Sequence, residues 1–306
     1  MERIPLVKKA TFTHFLNLFY ELKGSRDLPL LPYAIESSDA DFLPQVVFAE
    51  LLKSLRTLLG DQLFLVTLKK HISKLQESSD QLSFDAMFSE SCFNRLHVSK
   101  KPLGTFLYLQ SVYSAKESTY TRIEEEMFAL LVLESLIQDA IYEPHITGFF
   151  FTNYDDKLLD TWNGASAATI YFGQANVGIQ LSRWDSEFER KIKALNYPAK
   201  LTFAQSFQYA LEGYIGRQNY SLSEFADVLG IPPRTLQENL QRYGTNFRSI
   251  RDQLNVRFAK RVLLQYEISI HDLSIQLGYS APSQFVRAFK RLTKETPYQW
   301  KVRNLN

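Results

Sequence analysis

In its last hundred or so residues this chain twice runs an apolar-periodic segment into Leu-Gly and restarts it behind a proline. That doubled pattern constrains the fold more than any other feature. The first copy spans Ser221–Gly244. Ser221 with Glu224 three residues on forms a capping-box pattern, and Leu222, Phe225, Ala226 and Leu229 mark an inner helix face. Gly230 permits a left-handed turn. Pro232 and Pro233 suit the first turn of the next helix, where a missing N–H costs little; that helix turns Leu236 and Leu240 inward. The second copy spans Ser269–Pro297. Ile270, Leu273, Ile275 and Leu277 are expected to be buried, Gly278 makes the turn, and Tyr279 plugs the hinge. Ser280 is the expected N-cap, Pro282 opens the second helix, and Phe285, Ala288, Phe289 and Leu292 form its inward stripe.

Between the copies, Arg248–Leu264 reads as one longer helix carrying Arg248, Arg251, Arg257, Lys260 and Arg261, and Thr202–Arg217 reads as a helix ahead of both. Residues 201–306 are therefore predicted to be an all-α domain: two helix-turn-helix units joined by a linker helix.

Residues 1–197 read differently. Thr11–Leu22, Leu43–Leu59, Gln62–Gln76 and Phe84–Leu96 have helical spacing, and Tyr120–Tyr142 reads as a long amphipathic helix. Thr105–Tyr113, Ile146–Thr152, Ala168–Phe172 and Val177–Ser182 are strand candidates rich in β-branched and aromatic residues. Helices with segregated strands argue for an α+β domain. Pro198, within Asn196–Lys200, marks the linker.

Charge divides along the same line. Residues 201–306 hold 14 Lys+Arg against 8 Asp+Glu, and residues 1–200 hold 21 against 25. A basic module on a mildly acidic body suits nucleic-acid binding. A second helix held by a tight turn can project its first residues into a major groove. Gln and Arg match the edges of adenine and guanine, and Lys and Arg meet phosphates. The candidate DNA-binding residues are Arg234, Thr235, Gln237, Glu238 and Gln241 in the first unit. In the second they are Pro282, Ser283, Gln284, Arg287, Lys290 and Arg291.

Residues Thr202–Arg303 resemble the DNA-binding module of AraC/XylS-family transcription regulators. The resemblance rests on Leu229-Gly230-Ile231, Pro233-Arg234-Thr235-Leu236-Gln237, Tyr243-Gly244, Phe247, Arg257, Ala259 and Leu263. It continues in Leu277-Gly278-Tyr279-Ser280, Ser283-Gln284-Phe285, Arg287-Ala288-Phe289-Lys290-Arg291 and Pro297. It implies base contacts at Pro232, Arg234, Gln237 and Glu238, and at Pro282, Ser283, Val286 and Arg287. Glu238 and Asn239 stand where two basic residues are usual, and Lys294-Glu295-Thr296 replaces a glycine-containing turn. The amino-terminal part resembles, more loosely, the regulatory domain of one AraC-type subgroup, through Gly60-Asp61-Gln62, Leu82–Met87, Pro144-His145-Ile146 and Tyr171–Ala175. That implies an α+β regulatory or dimerisation domain that senses a small molecule or pairs two copies.

The expected function is a sequence-specific, dimeric transcription regulator that binds double-stranded promoter or operator DNA, with a small-molecule effector as a candidate partner. Tyr120–Tyr142 is the candidate dimer helix, through Phe128, Leu131 and Ser135. The alternative is an interaction protein that modulates another regulator through its amino-terminal domain, its first DNA-reading unit being degenerate at Glu238 and Asn239. An enzyme is not expected: there is no Gly-x-Ser-x-Gly elbow, phosphate loop or dinucleotide fingerprint. Cys92 is the sole cysteine, which suits a reducing cytoplasm and a buried small hydrophobe. No targeting segment is expected in Met1–Lys9, and no run of about 20 apolar residues suggests a membrane span. No metal or other cofactor is expected: His14, His71, His97, His145 and His271 lack metal spacing. Asp155-Asp156, with Asn153 and Asp160 near, reads as a solvated loop, and Glu124-Glu125-Glu126 as an exposed first helical turn. Phe149-Phe150-Phe151 reads as core. Lys100-Lys101, Arg183 and Trp184 are a weaker candidate for a carboxylate ligand.

Overall fold

A computed structural model of the chain describes residues 4–24, 40–77, 93–101, 104–111, 123–140, 145–155, 157, 161–162, 168–182, 190, 201–216 and 221–305. Its contacts divide it into two units, Met1–Leu28 with Gln45–Leu201, and Pro29–Pro44 with Thr202–Asn306.

The first unit sets four long helices beside a five-stranded sheet. Strand β1 (Leu6–Lys8) leads into α1 (Lys9–Lys23), which buries Phe12, Phe15, Leu16 and Phe19 at helical spacing. Helix α2 (Gln45–Leu59) and α3 (Asp61–Glu77) follow, then α4 (Ile123–Ala140). Helix α2 packs on α1, α3 and α4. Phe15, Phe48 and Phe128 meet at their centre with ring centroids 5.1 to 5.7 Å apart.

The helix expected over Tyr120–Tyr142 differs in character from the amphipathic one its spacing suggests. Every residue from Glu124 to Leu133 in α4 is buried, so the helix is a core element rather than an amphipathic one. Of the expected dimer face, Phe128 and Leu131 are enclosed within their own unit and only Ser135 is half-exposed. The first turn is not exposed either. Arg56 of α2 bonds Asp61 at 2.7 Å, Glu124 at 3.0 Å and Asp155 at 2.7 Å. Burial alone would lower the pKa of Arg56, but its hydrogen bonds to Asp61, Asp155 and Glu124 outweigh that and raise it. Asp155 is thereby a partly buried ion-pair partner instead of a solvated loop residue, while Asp156 and Asp160 lie outside the described residues. Glu126, fully buried, accepts from the Thr152 hydroxyl and from Asn153 Nδ2 at 2.7 Å, tying α4 to the chain leaving a strand.

The sheet has the order β3-β4-β7-β5-β6: β3 (Phe93–Lys101), β4 (Gly104–Ser111), β5 (Ile146–Phe150), β6 (Thr169–Tyr171) and β7 (Val177–Leu181). All neighbours are antiparallel except β5 and β6. Phe93–Leu96, expected to be helical, is strand, because pairing with β4 overrides local spacing; residues 84–92, with Cys92, lie outside the described residues. Leu107, Leu109, Phe149, Val177, Ile179 and Leu181 are almost wholly buried, and α4 packs on β7. Phe106, Tyr108, Phe150 and Tyr171 form an aromatic run across β4, β5 and β6. Gly178 allows it, since a Cβ there would lie 2.9 Å from the Tyr108 ring and 2.3 Å from the Leu107 carbonyl oxygen. Phe149 and Phe151 pack edge-on against the buried Trp162, so the Phe149–Phe151 run is core.

The second unit comprises β2 (Phe42–Pro44), α5 (Phe203–Glu212), α6 (Leu222–Leu229), α7 (Pro233–Arg242), α8 (Phe247–Gln265), α9 (Ile270–Gln276), α10 (Pro282–Thr293) and α11 (Pro297–Leu305). Phe42 stacks edge-on with Tyr209 of α5. The Ser221–Glu224 capping box closes on both sides, at 3.2 and 2.6 Å. Gly230 (φ 63°) and Gly278 (φ 72°) make left-handed turns in both copies. Helix α8 is the spine, packing on α5, α10 and α11. Two inward assignments fail, Ile275 and Leu292 being 42% and 40% exposed, and Leu222 and Ile270 are only half-buried. Helix α9 is only seven residues long and turns Leu273 and Ser274 inward, with Ile275 roughly 200° around from Leu273. On α10 it is Phe289 that meets the Trp300 ring. The N-cap of α10 is Ala281 rather than Ser280. Lys294 ends α10 at φ 69°, the one non-glycine residue with positive φ among the described residues. Among those residues no helix is long and apolar enough to cross a membrane.

Two predictions follow from these contacts. His14 Nε2 and His71 Nδ1 lie 2.8 Å apart between α1 and α3, one imidazole donating to the other. Burial, and then the Lys74 charge, lower the pKa of His14; burial, then His14, Lys74 and Lys70, lower that of His71, with Glu21 opposing in each case. The unfolded chain therefore binds more protons below the ordinary value of 6.5, and this unit loses stability as pH falls through that point. Hydrogen exchange of α1 and α3 amides should accelerate between about pH 7 and pH 5.5 beyond the intrinsic pH effect, and His71→Gln should flatten the trend. Lys294→Gly should stabilise the chain by about 0.5–1 kcal/mol by removing side-chain strain at positive φ. The check is a raised urea midpoint with an unchanged slope.

Candidate nucleic-acid interface

Helices α7 and α10 each bury one stripe and show the other to solvent. Leu236, Asn239 and Leu240 fix α7 against α5 and α6. That leaves Arg234, Thr235, Gln237, Glu238 and Gln241 exposed, four of them at i, i+3, i+4 and i+7 on one face. Arg234 Nε donates to Glu238 Oε1 at 2.8 Å. This hydrogen bond, then the attraction between the charges, raises the Arg234 pKa. Asn239 points inward and accepts from Arg242 at 3.3 Å. The face of α7 is thus charge-neutral where α10 is cationic.

On α10, Phe285, Ala288 and Phe289 are buried, and Tyr279, Phe285, Phe289 and Trp300 stack in succession. Pro282 is half-buried in the first turn, while Ser283, Gln284, Arg287, Lys290 and Arg291 are exposed. Arg287 Nε donates to the Ser283 carbonyl at 3.3 Å. Arg291 Nη2 reaches Asp252 Oδ2 at 2.6 Å, and the Tyr279 hydroxyl donates to Asp252 Oδ1 at 3.0 Å. Asp252 sits on α8 and is almost wholly buried. Burial, reinforced by the Asp252 charge, pushes the Tyr279 phenol up to about 12, so it stays a donor at neutral pH. Asn255 Nδ2, one turn along α8, donates to the Leu277 carbonyl at 3.2 Å and holds the turn between α9 and α10.

A cleft of about 580 Å³ opens beside this network. Arg248, Arg251 and Asp252 of α8 line it with Tyr279, and α10 supplies Gln284, Arg287, Ala288 and Arg291. Three of the expected contact residues, Gln284, Arg287 and Arg291, therefore converge on one concavity. Pro282, Ser283 and Lys290 do not line it, and the α7 set forms a separate patch. Sequence reasoning placed Arg248 and Arg251 on the connecting helix without assigning them to the site. Their i, i+3 spacing was the available signal, but nothing local told which way that face of α8 turns.

Other sequence candidates do not assemble into a site. His145 Nδ1 pairs with Ser182 Oγ at 2.8 Å, and His271 is exposed on α9. Lys100 is exposed, and Arg183 and Trp184 lie outside the described residues. Among the described residues no group of three His, Cys, Asp or Glu could hold a metal ion.

Comparison with known proteins bears on the same segment. Residues 225–303 match the family model described as a helix-turn-helix domain. The HTH-type transcriptional regulator GlxA of Rhizobium meliloti (strain 1021) is 32% identical over 103 residues, covering 33% of this chain and 30% of GlxA. The HTH-type transcriptional activator CfaD of Escherichia coli is 27% identical over 112 residues, covering 37% of this chain and 42% of CfaD. The matched stretches thus span less than half of either relative. The crystal structure of transcriptional regulator CdpR from Pseudomonas aeruginosa aligns with 95% of this chain and 98% of its own, at 14% identity and a TM-score of 0.35. The carboxy-terminal part of the chain is an AraC-type helix-turn-helix domain.

The Asp252 network yields a stability prediction. Tyr279→Phe should cost about 1.5–3 kcal/mol by removing one hydrogen bond to a buried carboxylate. Asp252→Ala should cost about 2–3 kcal/mol, because it strands a buried phenol; the half-exposed Arg291 adds little, its charge being screened by solvent. Hydrogen exchange of α8 and α10 amides resolves both, and equal protection in Asp252→Ala and wild type would contradict the assignment.

Proposed function

We propose that the chain is a sequence-specific DNA-binding transcription regulator, dimeric and responsive to a small-molecule effector, working in the cytoplasm. In this reading α6–α7 and α9–α10 are two helix-turn-helix units, α8 is the linker helix between them, and residues 1–197 regulate or dimerise. The observation that carries it is the solvent face of α10. Five polar or cationic side chains stand exposed there on a helix whose opposite stripe is locked into the core, inside the segment that matches a helix-turn-helix model. Gln284 and Arg287 are the base readers, because they lie in the first two turns and carry the donors that fit adenine and guanine edges. Pro282 and Ser283 approach the same groove edge, and Lys290 and Arg291 meet phosphates. Helix α7 reads with Arg234, Thr235, Gln237, Glu238 and Gln241, more weakly because Glu238 already holds Arg234. Dimerisation would set two modules on paired half-sites and raise the effective affinity. An effector acts only if it binds one conformational state better than the other.

One observation favours a second reading, an interaction protein whose first unit has lost DNA binding: the Arg234–Glu238 pair neutralises the main cation on that face.

The test is selection of duplexes from a random-sequence pool by the purified chain, followed by titration of the best site at fixed salt. Arg287→Ala should weaken that site by about 10- to 100-fold, equivalent to 1–3 kcal/mol for a lost bidentate base contact, while leaving random duplex affinity nearly unchanged. No enriched sequence from a folded chain, with and without candidate effectors, would favour the second reading.

A further inference from the structure

We infer that the cleft between α8 and α10 is a phosphate site in which Arg248 and Arg251 of the linker helix, rather than the reading helix alone, grip the anion. The inference rests on the DNA-binding reading for its natural ligand, a backbone phosphodiester; a free phosphate is the other source of the same chemistry.

Four guanidinium groups line this cleft against one carboxylate. That carboxylate is already engaged: Asp252 Oδ1 accepts from Tyr279 and Oδ2 from Arg291. Among the described residues, Arg248, Arg251 and Arg287 have no carboxylate partner. Arg251 lies with its guanidinium 5.6 Å from the Phe247 ring centroid, and its Nε is shielded from solvent with no hydrogen-bond partner. A shielded, unpaired guanidinium N–H is costly unless an acceptor arrives. Like charges gathered on one concavity repel each other, and an anion with several acceptor oxygens relieves both penalties. Arg248 and Arg251 stand one turn apart on α8, so they face the cleft together. Asp252 holds Arg291 at the rim and anchors Tyr279 beneath, which fixes the distance between the two helices that share the anion. The cleft is larger than one phosphate group, and so leaves room for a phosphodiester with its neighbouring sugar and water.

This divides the labour within the unit. Gln284 and Arg287 select sequence; Arg248 and Arg251 set register on the backbone and carry no sequence information. The two roles separate in a salt series. Each lost phosphate contact lowers the slope of log affinity against log salt by about 0.9, on every duplex alike.

The experiment titrates the full chain with its selected duplex and with a random duplex from about 50 to 300 mM salt, comparing wild type, Arg248→Gln, Arg251→Gln and the double variant. The slope should fall by about 0.9 per bound module in each single variant and about 1.8 per bound module in the double, with the ratio of specific to random affinity held within two-fold. Arg248 is exposed, so its single variant keeps the test valid if the Arg251 variants misfold. In parallel, inorganic phosphate is titrated and the melting temperature followed. If wild type binds no duplex yet is stabilised by phosphate, and the double variant is not, the site stands with a free phosphate as its ligand and the DNA reading falls. Unchanged salt slopes in Arg248→Gln and Arg251→Gln with intact DNA binding would overturn the inference. So would the absence of both duplex binding and phosphate stabilisation in the folded wild-type chain.

Discussion

One buried carboxylate organises the basic face of the carboxy-terminal unit. Asp252 is enclosed in α8, and an isolated ionised carboxylate there would be strongly unfavourable. Tyr279 from the turn and Arg291 from α10 each occupy one of its oxygens, so its desolvation is offset only when α10 lies in a single position. The same geometry leaves Gln284 and Arg287 outward and brings Arg248 and Arg251 opposite them. Asn255 and the Leu277 carbonyl repeat the device one turn on, closing the base of the α9–α10 turn. Apolar packing of Phe285, Phe289 and Trp300 supplies most of the cohesion here, since burying a large side chain contributes about 1.5–3 kcal/mol. It is tolerant of small rotations, whereas two hydrogen bonds to one buried acid are not.

The amino-terminal unit uses the same principle with the charges exchanged. There a single guanidinium, Arg56, gathers Asp61, Glu124 and Asp155. It allows the first turn of α4 to enter the core with its acidic residues intact. Beyond it, Glu126 takes up Thr152 and Asn153 and anchors the exit from β5. Both units therefore fix a helix by enclosing an ion and surrounding it with partners from distant parts of the chain.

This explains what was legible in the sequence. Gly230 and Gly278 announce their turns because the left-handed backbone is a local demand, and the capping box at Ser221 involves residues three apart. The buried stripes Leu236–Leu240 and Phe285–Phe289 follow from spacing alone. By contrast, the burial of Glu124 is decided by Arg56, 68 residues earlier, and no window around Glu124 contains that information. Phe93–Leu96 has helical spacing yet pairs with β4, a partner chosen by the sheet. His14 and His71 look scattered because they stand 57 positions apart in the sequence, and only the packing of α1 with α3 brings the rings together. Within the candidate site, the α10 residues were readable because a recognised motif carried them. Arg248 and Arg251 were visible as charges but not as members, since membership depends on how α8 turns against α10.

The two exposed helices are not equivalent, and the difference is electrostatic before it is geometric. On α10, the acid that neutralises Arg291 lies beneath the surface, so it steadies a cation without placing negative charge on the exposed face. On α7, the acid lies on the face itself: Glu238 is half-exposed beside an almost fully exposed Arg234. A backbone phosphate approaching α10 meets guanidinium groups whose counter-charge is shielded from it. One approaching α7 must first displace an ion pair and then face Glu238. If the unit binds DNA as proposed, α10 supplies most of the salt-dependent affinity, and α7 contributes where a cytosine amine can satisfy the carboxylate. An unequal pair of this kind favours one orientation on the duplex, because reversing the module would place the neutral helix where the cationic one belongs.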